Sequence, residues 1–174
     1  MAKTFTSNLP SVSTGDVLTA TAQNNLLTTL NSHTVPPMCR VYNSATLTPY
    51  TTNTAITWNS ESYDTDAMHD TGSNTSRITF QTAGVYLCTA TIRVDATTVT
   101  QANLFAKING AASPQLGQNL IGGLTTTYAG QISSFMYSFS AGDYLEWVQA
   151  WTGTGTGSIN ASSSAEFVFM GKTA

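Results

Sequence analysis

Residues 84–94 read Gly84-Val-Tyr-Leu-Cys-Thr-Ala-Thr-Ile-Arg-Val94, and the alternation in this stretch decides the fold. A strand turns successive side chains to opposite faces. Tyr86, Cys88, Ala90, Ile92 and Val94 therefore share one face, and Val85, Leu87, Thr89, Thr91 and Arg93 the other. The first face is wholly apolar and reads as core. The same period runs through Ala102, Leu104, Ala106 and Ile108, alternating with Asn103, Phe105, Lys107 and Asn109, and stops at Asn109-Gly110, a dipeptide suited to a tight hairpin. Shorter strand patterns cover 40–43, 55–58, 77–80, 120–128, 132–139, 144–152 and 166–170. Turn signals separate them: Thr71-Gly72-Ser73-Asn74, Ala83-Gly84, Gly122-Gly123 and Ala141-Gly142-Asp143. About nine or ten short strands with no helix between them predict an all-β chain, an antiparallel β-sandwich or barrel.

Two of these strands are apolar on both faces. In 166–170, Phe167 and Phe169 point one way and Val168 and Met170 the other; in 144–151, Leu145, Trp147 and Trp151 oppose Tyr144, Val148 and Ala150. One face of a sandwich strand fills its own core, and the other normally meets water. Contiguous exposed apolar patches are rare on monomers, so a self-association surface is expected, with an internal covering loop as the other account.

The chain before residue 38 is different in kind. Residues 1–15 are polar and unpatterned, an extended arm broken by Pro10 and Gly15. Thr19 to Asn31 carries one short helix, capped by Thr19 or Thr21, with Ala20, Leu26, Leu27 and Leu30 as its apolar positions. A helix this short is marginal alone and needs a surface to lie on: its own domain, a sister chain or another protein. His33-Thr34-Val35-Pro36-Pro37 ends it as a stiff linker. The domain reading is thus residues 1–37 as arm, helix and linker, and 38–174 as the β domain.

Composition excludes several functions. Charged residues make up 9% of the 174, against about 25% in an ordinary soluble protein, and Thr, Ser, Asn and Gln supply solubility instead. Six Lys plus Arg against nine Asp plus Glu give no basic field for nucleic acid. Three Trp, seven Tyr and seven Phe argue against disorder. No apolar run reaches 18 residues, so no membrane-inserted span is expected, and the polar start predicts synthesis in a cytosol. Cys39 and Cys88 are too few for a disulfide scaffold and read as buried thiols.

Candidate chemistry is sparse. Asp64, Asp66 and Asp70 occupy the first, third and seventh places of a calcium-type loop, but His69 stands where such a loop needs its glycine and the closing glutamate is missing. A solvated acidic loop is the simpler reading. His33 and His69 have neither metal spacing nor a nucleophile partner. Glu61, Glu146 and Glu166 could pair across a cleft for glycan hydrolysis, although Glu146 and Glu166 lie within strands as solvent-facing residues. The Trp151-to-Gly157 run spaces its glycines at two and matches no phosphate-binding loop. The expectation is a non-enzyme with no cofactor and no metal.

Three pieces together resemble the jelly-roll superfamily of the tumour necrosis factors and complement-type globular heads: Ser76-Arg-Ile-Thr-Phe-Gln-Thr-Ala-Gly-Val-Tyr-Leu87, Ser138-Phe-Ser-Ala-Gly-Asp-Tyr-Leu-Glu-Trp147 and Ala165-Glu-Phe-Val-Phe-Met-Gly171. They span residues 38–171, and Ala83 stands where the family usually has proline. Gly15-Asp-Val-Leu-Thr-Ala-Thr-Ala-Gln-Asn-Asn-Leu-Leu27, Pro37-Met-Cys-Arg-Val-Tyr-Asn43 and the stretch from Ser62 to Asp70 look like small virion proteins of tailed bacteriophages. The resemblance implies a jelly-roll homotrimer with three inner sheets on an axis. It places Tyr86, Cys88, Trp147, Phe167 and Phe169 near that axis, although parity leaves open which apolar face turns inward. It also implies a virion anchor built from Phe5, Leu9, Val17, Leu18, Leu26, Leu27 and Leu30. The role it implies is a phage structural protein displayed on the virion: a host-contacting minor tail protein, or else a capsid decoration or head fibre. A glycan-binding lectin module is a further alternative. Partners would be sister chains, other virion proteins and a host-surface glycan, met through loops at 64–75, 110–123 and 153–164.

Overall fold

The computed structural model describes residues 19–21, 23–25, 27, 35–50, 52–111, 115–154 and 156–172. The chain divides into two units, Met1–Pro36 and Pro37–Ala174. In the first, Ala20, Thr21, Gln23, Asn24, Asn25 and Leu27 are helical. The Gln23 N–H donates to the Thr19 carbonyl at 3.0 Å, which puts Thr19 at the N-cap. Leu27 is exposed. Phe5, Leu9, Val17, Leu18, Leu26 and Leu30 lie outside the described residues.

Among the described residues the second unit holds ten strands: β1 (Met38–Tyr42), β2 (Leu47–Tyr50), β3 (Thr54–Ala55), β4 (Ser60–Asp64), β5 (Arg77–Thr79), β6 (Gly84–Ile108), β7 (Leu116–Phe139), β8 (Tyr144–Thr154), β9 (Gly157–Ile159) and β10 (Ser164–Gly171). All pairings are antiparallel. One layer runs β4-β1-β10-β6-β7, with β9 and β2 continuing it beside the upper part of β6. The other is built on β8, which takes β5 and β3 on one side and β6 on the other. Two strands serve both layers. β6 pairs with β10 over Val85–Thr91 and with β8 over Thr98–Ile108, and its register with β7 shifts between Asp95 and Val99. The apolar alternation of 86–94 and that of 102–108 each fill one wall of the same core, and the polar stretch between them carries the crossing.

This is the antiparallel sandwich expected from the alternation, with the jelly-roll build that the resemblance implied. The apolar face read from 84–94 is fully buried, from Tyr86 through Val94. Phe80 lies at the centre of an aromatic cluster, stacked on Phe139 at 3.7 Å and tilted against Tyr86 at 4.6 Å, while Phe169 meets Tyr86 edge-on at 5.3 Å. The Tyr86 hydroxyl donates to the Thr82 carbonyl at 2.7 Å, so the ring is buried without stranding its polar end.

The strand limits differ from the sequence reading in three ways. Gly122-Gly123 does not end a strand: β7 runs through it, and the register with β6 adjusts locally. β4 occupies Ser60–Asp64, where alternation is masked by a bulge of its own: Ser62 is an extra residue opposite the Arg40–Val41 step of its partner β1. β9 lies within the glycine-rich region read as an apical loop. There the missing side chain matters, because a Cβ on Gly157 would lie 2.4 Å from the Trp151 ring.

Candidate functional site

The axis residues named from the sequence need correcting. Tyr86, Cys88, Trp147 and Phe167 have no exposed surface in the single chain, and Phe169 packs partly buried against the same core. Their contacts are made within one sandwich, so they leave nothing for a second copy to cover. Of the two doubly apolar strands, β10 turns its other face outward, whereas Val148 on the other face of β8 is buried within the chain. Register places Met38 of β1, Val168 of β10, Leu87 of β6 and Met136 of β7 side by side in one row across four strands. Met136 is 65% exposed, Met170 56% and Ile132 63%, all on this outward side. Between these residues runs the row Arg40, Glu166, Thr89 and Ser134. The Tyr63 hydroxyl bonds Glu166 Oε1 there; burial, then that carboxylate, pushes the phenol up to about 12.

The other sequence candidates are committed to structural work. Asp64 accepts the backbone amides of Asp66 and His69, at 3.1 and 2.8 Å. Asp66 accepts that of Thr82 at 3.1 Å, and Asp70 that of Gly72 at 2.8 Å. The acidic loop is thus wired by its carboxylates, and among the described residues no three His, Cys, Asp or Glu groups converge on a metal position. The His69 ring is enclosed, with Nδ1 2.8 Å from Glu61 Oε1 and Nε2 3.1 Å from the Thr75 carbonyl. Glu146 takes the Ser76 hydroxyl at 2.7 Å and Arg77 Nε at 3.4 Å. Each glutamate has a separate partner, and Glu146 and Glu166 lie in different layers, which does not make the carboxylate pair of a glycosidase. Cys39 and Cys88 are free and buried; burial pushes both thiols up.

The strand ends far from β1's start carry a group the sequence reading did not single out. Asp95 sits between Ser158 of β9 and Tyr128 of β7 in one row. Arg93 Nε donates to Asp95 Oδ1 at 2.7 Å, Asn160 Nδ2 donates to Asp95 Oδ2 at 3.2 Å, and the Arg93 guanidinium lies over the Tyr128 ring at 4.8 Å. Arg93 is anchored at its backbone as well: its N–H donates to Ser163 Oγ at 3.1 Å and its carbonyl accepts Asn160 N–H at 2.9 Å. A depression of about 440 Å³ opens over this group, lined by Arg93, Asp95, Ala96, Thr127, Thr156 and Ser158. The sequence signal was present as an Arg-x-Asp pair on the outward parity of 84–95; its partners come from strands about 35 and 65 residues further on.

No protein-family model and no curated protein matches the chain. Solved structures do. The globular domain of a zebrafish complement 1qA protein superposes with a TM-score of 0.62 at 13% identity, covering 79% of this chain and 99% of that one. Murine APRIL gives 0.59 at 11%, covering 77% and 98%, and Eiger TNF from S. frugiperda 0.55 at 14%, covering 79% and 96%. At these identities the likeness is one of fold: a globular jelly-roll domain of the complement and tumour-necrosis-factor type.

Proposed function

We propose that this chain is a non-enzymatic recognition head that works as a homotrimer, held to a bacteriophage particle by residues 1–37 and displayed on the virion, with host contact at the tail as its task. The observation that carries the trimer is the apolar row Met38, Val168, Leu87 and Met136 on the outward face of the β1-β10-β6-β7 layer. Half-buried Met38, Val168 and Leu87 beside exposed Met136, Ile132 and Met170 form, in a charge-poor protein, a patch that water disfavours, and three copies turning this layer inward would cover it. The head-type fold supports this mode of association, and the phage assignment rests on the sequence resemblance of the opening segments. Three heads on one stalk also turn a weak contact into avidity.

Light scattering on the purified full chain tests this reading. A trimer of the 18.4 kDa chain reads about 55 kDa, three times the protomer. Met136→Lys, which puts a charge on the most exposed residue of the row, at its β7 end, without touching the core, is expected to give the protomer mass. A wild-type monomer at micromolar concentration overturns the association, as does a Met136→Lys protein that remains trimeric.

A further inference from the structure

We propose that the depression lined by Arg93 and Asp95, with Tyr128 beside it, binds a neutral, hydroxyl-rich ligand, a glycan. The inference rests on the recognition-head reading and gives it a site and a ligand class.

The chemistry of the lining selects the ligand. The Asp95 carboxylate and the Arg93 guanidinium of the lining stand side by side, joined at 2.7 Å, and the Asn160 amide next to the lining holds the carboxylate's other oxygen at 3.2 Å. Neighbouring sugar hydroxyls each donate and accept, so an array of fixed donors and acceptors can take two at once. Thr127, Thr156 and Ser158 add hydroxyls around it. Tyr128, 53% exposed, brings aromatic surface beside the polar groups, which suits the C–H face of a pyranose. Arg93 and Asp95 neutralise each other, so the site has no net field with which to gather an anion or a cation.

The group is also held in place before any ligand arrives. Asp95 is paired on both sides within a sheet, and Asn160 is tied to the Arg93 carbonyl. The backbone of Gly157 lies against the Trp151 ring, which fixes the approach of Thr156 and Ser158. Little ordering is left to be done on binding. Position agrees. From Leu87, beside the strand end where the chain enters at Met38, to Asp95 is eight residues of one strand, roughly 27 Å at the usual rise. The depression therefore lies at the opposite end of the sandwich from Met38. The opposite depression, beside Asp70 and Arg77, lies at the end where the chain enters.

The test is the full-length protein on a printed array of neutral oligosaccharides built from glucose, galactose, mannose and N-acetylhexosamines, together with sialylated and sulfated ones, each variant's mass being read by light scattering. The expected result is binding to at least one neutral glycan, insensitive to added salt. That signal falls about tenfold or more in Asp95→Asn and in Tyr128→Ala, both keeping the wild-type mass, and is unchanged in Arg77→Ala at the opposite depression. Three results overturn the proposal: no neutral glycan bound, binding confined to sialylated or sulfated glycans, or neutral binding equal in the wild type and both site variants. A trimer that fails on the array removes the site and leaves the self-association standing; a monomer that binds a neutral glycan through Asp95 and Tyr128 does the reverse.

Discussion

Cys88 lies in the middle of the core face of β6, and Cys39 faces the same core from β1. Parity alone placed Cys88 there, because a thiol in an otherwise apolar alternation behaves as a small hydrophobe. Burial pushes both thiols above their ordinary value of 9.0, and the phenols of Tyr50, Tyr63 and Tyr86 above 10.0. The folded chain thus keeps protons that the unfolded chain releases. A raised acid pKa leaves stability intact below the unfolded value and removes it as pH climbs towards the folded one. Unfolding free energy from urea titrations is therefore expected to be level between pH 7 and about 8.5 and to fall above pH 9, each buried thiol contributing about 1.4 kcal/mol per pH unit once its unfolded form is ionised. Cys88→Ala should make that fall shallower by about one proton's worth, and a profile flat to pH 10.5 would refute the reading. The residue-scale candidates that failed did so for one reason: an aromatic on a strand face says that something covers it, and only the three-dimensional pairing says whether the cover is its own sandwich or a second copy. Phe167 and Trp147 turned out to be covered from within.

At the scale of elements, β7 poses the problem. Among the described residues it pairs only with β6, in both layers, which leaves its other side an open edge of a 24-residue strand, the arrangement that invites uncontrolled strand pairing. The fold closes that edge on itself. Asn119 Nδ2 donates to the Ile132 carbonyl at 2.7 Å, Gln131 Nε2 to the Asn119 carbonyl at 2.5 Å, and the Ser133 hydroxyl to the Gly117 carbonyl. Gln131 Oε1 accepts from the buried Gln149 Nε2 at 2.8 Å. Gly117, at φ +57°, lets this happen, since a Cβ there would stand 2.4 Å from the Phe135 ring. Gln131→Leu should cost about 1–3 kcal/mol by leaving buried polar groups unpaired and should speed amide exchange over 117–133 ahead of the rest of the domain. Adding Gln149→Leu should recover part of that loss, because it also removes the buried Gln149 Oε1, which has no hydrogen-bond partner. Equal stability of the single variant and wild type would remove the closing role. The alternations of 84–94 and 102–108 were legible because each fills a core wall without interruption. The seam was not, although Gln149 shares parity with Leu145, Trp147 and Trp151: period-2 reading scores a glutamine as surface, and its partners lie on a strand reached through the other layer.

On the scale of the whole molecule, the two ends of the sandwich differ. At one end the chain enters the head: Phe169 N–H donates to the Pro37 carbonyl at 3.0 Å, Met38 N–H to Thr65 Oγ1 at 2.8 Å, and Thr65 N–H to the Met38 carbonyl at 2.9 Å. The other end carries Arg93, Asp95 and Asn160. Low charge lets copies stand close together with little mutual repulsion, while threonine fills the solvent faces of strands it also stabilises. If residues before the linker serve attachment and the sandwich serves recognition, the two tasks separate at a cut that spares the Pro37 carbonyl. A chain beginning at Pro36 is therefore expected to fold with the thermal midpoint of the full protein to within a few degrees, to keep the trimer mass, and to fail to join phage particles in an incorporation assay. A chain beginning at Cys39 loses the three anchoring bonds around Pro37 and Met38 and should unfold several degrees lower, given about 1 kcal/mol for each bond lost. Normal incorporation of the Pro36 chain would move the attachment surface onto the sandwich itself. The outward row of Met38, Val168, Leu87 and Met136 would then be the first place to look for it, and the trimer and the particle would be competing for one face.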